Sequence, residues 1–221
     1  MTKILSILPV FSILYLLGCN AGTSQNKAIA NNTQITNMND TNSTRDTATF
    51  AGGCFWCIET TMARLKGVDT VISGYTGGTV KNPTYKEVCT GLTGHAEAVQ
   101  IIYNPAVIDY NTLMTVFFTM HDPTTLNRQG GDVGTQYRSA IYYHNQAQKG
   151  SAETFIKQLN DEQIFNAPIV TEVTAAPVFY NAEDYHQNYY NQNRLENSYC
   201  TAVIDPKVSK LRKTFSHLLK D

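Results

Sequence analysis

Three features of this 221-residue chain predict an α+β domain, a two-layer sandwich with helices packed on a sheet. Strand-like stretches of β-branched and alternating residues are interleaved with helix-periodic ones, glycines punctuate the junctions, and an apolar share of 42% suffices for one core. The length allows one ordinary domain with an appendage. With 17 basic and 18 acidic side chains the chain has neither the basic field of a nucleic-acid binder nor an acidic disordered tail. Five cysteines are too few for a disulfide-stapled miniprotein, so each is read from its surroundings.

The chain begins with Lys3, an apolar run over residues 4–17, and Leu16-Leu17-Gly18-Cys19. The run is shorter than the roughly 20 residues a membrane-spanning helix needs. It resembles a bacterial lipoprotein signal with its lipobox. That resemblance implies removal of residues 1–18 and lipid on the sulfur and amine of Cys19, hence attachment to the bacterial cell envelope, facing the periplasm or the exterior. Residues 20–47 then hold seven asparagines and six threonines but no aromatic residue. Such a segment buries too little apolar surface to offset its ordering entropy, so residues 19–46 are expected to form a flexible, lipid-anchored tether.

The expected domain covers residues 47–221. Residues 47–53 read as a short buried strand ending at Gly52-Gly53, and 54–66 as a helix stopped by Gly67. Residues 68–75, 96–103, 139–144 and 169–175 have strand character. Helical periodicity marks 110–120, 146–159 and 183–193. Strand order is not readable from this pattern.

Chemistry concentrates at Gly52-Gly53-Cys54-Phe55-Trp56-Cys57. Two glycines let the backbone turn sharply out of a strand, and the next residue opens a helix whose free N–H groups favour an anion. A cysteine there is expected to have a lowered thiol pKa, which makes Cys54 the candidate nucleophile. Cys57 lies one helical turn away, placed to form a disulfide or share a metal.

The stretch from Gly53 to Glu59 resembles the active-site signature of the A-class peptide methionine sulfoxide reductases. Further similar segments follow in order: Gly74-Tyr75-Thr76-Gly77-Gly78, Pro83-Thr84-Tyr85, Thr93-Gly94-His95-Ala96-Glu97, His121-Asp122-Pro123-Thr124, residues 127–139, and Ala182-Glu183-Asp184-Tyr185-His186-Gln187. The resemblance implies a ferredoxin-like, mixed or antiparallel sheet packed by helices. It also implies thiol-dependent reduction of methionine S-sulfoxide, free or in oxidised proteins, by a monomer. Cys54 would attack the sulfur, Glu97 would donate a proton, and Tyr85 and Tyr137 would hydrogen-bond the oxygen. Phe55 and Trp56 would wall the methyl pocket, with Asp132, His186 and Tyr189 lining the site. Taken singly, Glu97 reads as a solvated strand residue, the tyrosines as two among 13, and His186 as a structural histidine.

The sulfenic acid left on Cys54 must condense with a second thiol. Family members use either a cysteine at the position of Cys57 or a C-terminal one, so Cys57 is expected to resolve first and Cys200 to pass the disulfide outward. Cys89 reads as a small buried hydrophobe. The chemistry requires no metal or organic cofactor, only an external thiol reductant of the thioredoxin type. Two other classes fit less of the sequence. A thioredoxin-like disulfide exchanger would not need Glu97 or the tyrosines, and a zinc module would need a second Cys-x-x-Cys pair, which is missing.

Overall fold

The structure, a computed structural model, describes residues 45–220. The signal segment 1–18, Cys19 and the tether up to residue 44 lie outside the described residues. Strand β1 (Asp46–Gly52) leads into helix α1 (Phe55–Met62), strand β2 (Val68–Thr76), helix α2 (Tyr85–Cys89), strand β3 (Ala96–Tyr103) and helix α3 (Tyr110–Met120). A small hairpin of β4 (Arg128–Gln129) and β5 (Asp132–Val133) precedes β6 (Ser139–Tyr143) and α4 (Gln146–Asp161). Then come β7 (Glu172–Ala175), β8 (Tyr180–Asn181), α5 (Tyr189–Asn193), a π-helical turn (Cys200–Ile204) and α6 (Asp205–Phe215).

The main sheet has the order β7-β6-β1-β3-β2-β8. Each of its four inner strands is antiparallel to its neighbours, with α1 connecting β1 to β2 and α3 lying between β3 and β6, which is the ferredoxin-like arrangement. Parallel β7 and antiparallel β8 extend the edges and make the sheet mixed. Period-two alternation sorts the faces. Val99, Ile101 and Tyr103 of β3 pack with Leu113 and Phe117 of α3 and Leu211 of α6, whereas Ala96 and Ala98 join a smaller cluster with Ala51, Ala140 and Tyr142. Phe50 stacks on Phe117 with ring centroids 4.8 Å apart. Each such fully buried side chain contributes about 1.5–3 kcal/mol. Among the described residues no helix is long and apolar enough to cross a membrane.

The strand expected over residues 169–175 forms only over Glu172–Ala175, and two helices differ from the sequence expectation. The helix after Cys54 ends at Met62, because the C-terminal tail captures the next backbone groups: Lys66 N–H donates to Leu218 C=O (2.8 Å) and Lys220 N–H to Arg64 C=O (2.9 Å). The helix expected over 183–193 splits into a 3-10 turn (Asp184–His186) and α5. Asn188 sits between them at φ +51, a left-handed conformation that no continuous helix accommodates.

Candidate active site

Helix α1 begins at the rim of the sheet. Gly53 makes the turn at φ +87, and a Cβ there would lie 2.5 Å from the Gln129 side chain, so any larger residue would push the β4–β5 hairpin away. Gln129 in turn holds Asp122, accepting from its N–H (3.1 Å) and donating to its C=O (3.0 Å). Asp132, in the same hairpin, lines both cavities that border Cys54.

Cys54 occupies the N-cap of α1, and none of its side-chain atoms caps the helix. The first free amide, Phe55 N–H, donates instead to Glu97 Oε2 at 3.1 Å. Glu97 shares strand parity with Val99 and Ile101, so it points into the helix-covered core, buried at 2% exposure. Burial pushes its carboxyl up to about 8, with the Phe55 N–H pulling against the shift and the charges of Asp132 and Cys57 adding to it. A neutral acid therefore persists near pH 7.

Cys54 corrects the expectation of a lowered thiol pKa. Burial, then the hydrogen bond and charge of Cys57 and the charge of Glu97, push the Cys54 thiol well up. One helix terminus does not offset this desolvation. The hydrogen bond from Cys54 draws the Cys57 thiol down, helped by Lys207 and Tyr199 and opposed by burial.

Two cavities meet at Cys54. One, of about 200 Å³, is lined by Cys54, Phe55, Trp56, Tyr85, Glu97, Asp132, Tyr137 and Tyr199. The other, of about 390 Å³, lies against Cys54, Cys57, the Gly130-Gly131 hairpin tip and Lys207. Asp132 and Tyr199 border both, and the Tyr199 hydroxyl donates to Asp132 Oδ2 at 2.7 Å. Burial and the neighbouring thiol pair also push the Tyr199 phenol up, keeping it a donor. The phenols of Tyr85 and Tyr137 are likewise pushed up, first by burial.

His186 and Tyr189 stand elsewhere than expected. Neither lines the small cavity; both lie behind its Trp56 wall. Trp56 Nε1–H donates to His186 Nδ1 at 3.2 Å, and Tyr189 stacks on the indole with centroids 3.7 Å apart and planes 7° apart. His186 is 1% exposed, and burial moves its pKa down, so it is a neutral acceptor. Glu183 supports the opposite wall: its carboxylate accepts from Tyr75 OH (2.8 Å) and from Tyr85 N–H (2.9 Å).

Cys200 is buried at the start of the π-helical turn, where burial and the charges of Asp205 and Cys57 push its thiol up. Cys89 is exposed at the end of α2, not buried as expected. All four described cysteines are free. Among the described residues no group of three or more His, Cys, Asp or Glu side chains stands together as metal ligands would. Tyr199, Glu183 and Lys207 escaped sequence reasoning as site residues. Adjacency to Cys200 was the one available signal for Tyr199.

A paired thiol, a carboxyl kept neutral by burial and an aromatic pocket define a thiol-dependent oxidoreductase. Comparison with known proteins narrows the class. The model of the peptide methionine sulfoxide reductase family matches residues 46–219. The chain is 59% identical to a peptide methionine sulfoxide reductase MsrA of Chromobacterium violaceum, over 79% of this chain and 98% of that relative. It is 53% identical to one of Deinococcus radiodurans, over 85% and 92%. Among solved structures it resembles the reduced form of Mxr1 from Saccharomyces cerevisiae (33% identity, 71% of this chain and 90% of that one, TM-score 0.64). It also resembles the methionine sulfoxide reductase A of Corynebacterium diphtheriae (35% identity, 69% and 77%, TM-score 0.61). The chain belongs to the peptide methionine sulfoxide reductase family.

Proposed function

We propose that this protein reduces methionine S-sulfoxide, free or in oxidised proteins, and so repairs oxidised polypeptides. The observation that carries this reading is the meeting of Cys54 with a buried, neutral Glu97 in one small aromatic cavity. A bound sulfoxide would place its methyl group against Phe55 and Trp56 and its oxygen toward Glu97, Tyr85 and Tyr137. Selection of one epimer follows from such an arrangement, because the mirror-related sulfur would turn its oxygen toward the aromatic wall and leave the acid unpaired.

In the first half-reaction Cys54 sulfur attacks the substrate sulfur while Glu97 protonates the departing oxygen. The attack forms a transient S–S bond while the substrate S–O bond breaks, the oxygen leaving as water with the Glu97 proton and the thiol proton of Cys54; water then adds to the Cys54 sulfur, breaking the S–S bond and returning a proton to Glu97. Sulfoxide plus thiol becomes thioether plus sulfenic acid, with two electrons passing from Cys54 to the substrate sulfur. Cys57 then attacks the sulfenic sulfur and water leaves, giving a Cys54–Cys57 disulfide. Its lowered pKa suits Cys57 to this step. The cavity of about 390 Å³ gives an incoming thiolate access to the disulfide from the side away from the sulfoxide pocket. A dithiol protein of the thioredoxin type fits as donor, with Cys200 passing the disulfide outward.

The resolving step is tested without reductant. The first equivalent of methionine should be released with loss of the Cys54 and Cys57 thiols together, and a second should follow only as Cys200 takes over the disulfide and frees Cys54. Cys57→Ser should still release the first equivalent but should leave Cys54 as a sulfenic acid that a dimedone probe traps. Disulfide formation between Cys54 and Cys200 at the wild-type rate in that variant would instead make Cys200 the first resolver.

We further propose that lipid on Cys19 tethers the enzyme outside the cytoplasm through residues 19–46. The apolar run ending in Leu16-Leu17-Gly18-Cys19 supports this reading. Labelled fatty acid should enter the protein in the bacterium, and Cys19→Ala should abolish incorporation. Persistent labelling in that variant would contradict the anchor.

A further inference from the structure

One buried acid on the catalytic helix has no part in the proton transfers above. Glu59 lies two residues past Cys57 on α1, only 4% exposed. Its Oε1 accepts from Asn188 N–H at 2.7 Å, across 129 residues of sequence. Its Oε2 is buried with no closely aligned hydrogen bond among the described residues, and the Ser73 hydroxyl, also without one, lies near enough to act on the Glu59 carboxyl. A buried carboxyl in such a place costs folding energy unless its hydrogen bonds offset the lost hydration.

The contact falls where the backbone is most constrained. Asn188 is left-handed, and no side chain of its own caps α5, so Glu59 supplies a cap from another element. The residue before it, Gln187, is clamped as well. Its side-chain amide pairs with both backbone groups of Ser73, accepting from N–H (3.0 Å) and donating to C=O (2.9 Å). Residues 187 and 188 are thus fastened between β2 and α1. They are flanked by the two side chains that back Trp56: His186, which accepts its indole N–H, and Tyr189, which stacks on its face.

We propose that Glu59 is a positioning residue for the sulfoxide pocket, pinning the 187–189 turn so that His186 and Tyr189 fix the plane and depth of the Trp56 indole. The anchor and the indole both belong to α1, so the catalytic helix orients its own pocket wall through a loop more than a hundred residues away. Burial pushes the Glu59 carboxyl up while the Asn188 and Tyr189 N–H groups and the Ser73 hydroxyl hold it down, consistent with an acceptor that ties the turn to β2. The proposal rests on the reading that Trp56 walls the sulfoxide pocket, and the test separates the two.

Trp56 is the chain's single tryptophan, so its fluorescence reports the wall directly. Glu59→Ala should raise acrylamide quenching of Trp56 and the half-saturating sulfoxide concentration about tenfold, while the saturated single-turnover rate stays within about threefold. Glu59→Gln keeps a carbonyl acceptor for Asn188 and should return both readouts to within about twofold of the parent. If Glu59→Ala does not fold, Tyr189→Leu leaves the carboxylate in place and should raise the half-saturating concentration by the same route. Trp56→Ala is the control. If it weakens sulfoxide binding while Glu59→Ala and Tyr189→Leu do not, the positioning role is overturned and the pocket stands. If Trp56→Ala leaves binding unchanged, the pocket reading falls and the proposal with it.

Discussion

Replacing Cys54 by serine should abolish sulfoxide reduction, lowering turnover by a factor of about 10⁴ or more, with the fold intact. The buried site already pushes a thiol well up, and a serine hydroxyl is far less acidic still, so it would not ionise to attack the sulfur. Oxygen for sulfur is a small change at a residue 7% exposed and partnered by Cys57, so melting should shift little. The check is reductant-free release of methionine alongside a thermal melt. A stoichiometric burst from the serine variant would remove Cys54 from the nucleophile's place.

Glu97→Gln should be the next most costly change, slowing the first half-reaction by about 10²–10⁴, or about 3–5 kcal/mol of transition-state stabilisation. The amide retains an oxygen for Phe55 N–H, so α1 keeps its cap and the sulfoxide should still bind. What is lost is an acidic proton at the departing oxygen. The sign of the pH effect follows from the shifted carboxyl. Below about 8 Glu97 is protonated and competent to donate; above it the donor is progressively lost. The slope of log rate against pH should therefore fall by about one on passing about pH 8, whatever thiolate formation contributes, and the glutamine variant should lack that break. An unchanged break in Glu97→Gln would assign it to another group and end the proton-donor role.

Much of this was legible locally. The Gly-Gly-Cys junction announced a strand-to-helix turn, and alternating and helical periods located β1, β2, β3, α3, β6 and α4. Helix ends were not legible, because α1 stops where the C-terminal tail takes its backbone partners, a contact no local window contains. Helix α2 carries its start signal locally, a capping box of Thr84 and Glu87. Glu97, which reads singly as a solvated strand residue, is buried instead, because it shares the core-facing parity of Val99 and Ile101. The direction of the Cys54 shift failed because a helix terminus is visible in sequence whereas the depth of burial is not. Tyr199 and Lys207 were hidden for another reason: they come from a C-terminal segment without a motif, and the π-helical turn decides where they face. His186 and Tyr189 were recognisable as belonging to the site, but only the geometry separates lining a pocket from backing its wall.

The central claim is that this site reduces one epimer of methionine sulfoxide. Its most direct test gives the purified protein separate S and R epimers of a blocked methionine sulfoxide, with dithiothreitol as reductant, and follows loss of each. Loss of the S epimer alone is the expected result. Loss of neither, from folded protein whose Cys54 still reacts with an alkylating agent, would contradict the account and favour a disulfide exchanger built on the same pair of cysteines.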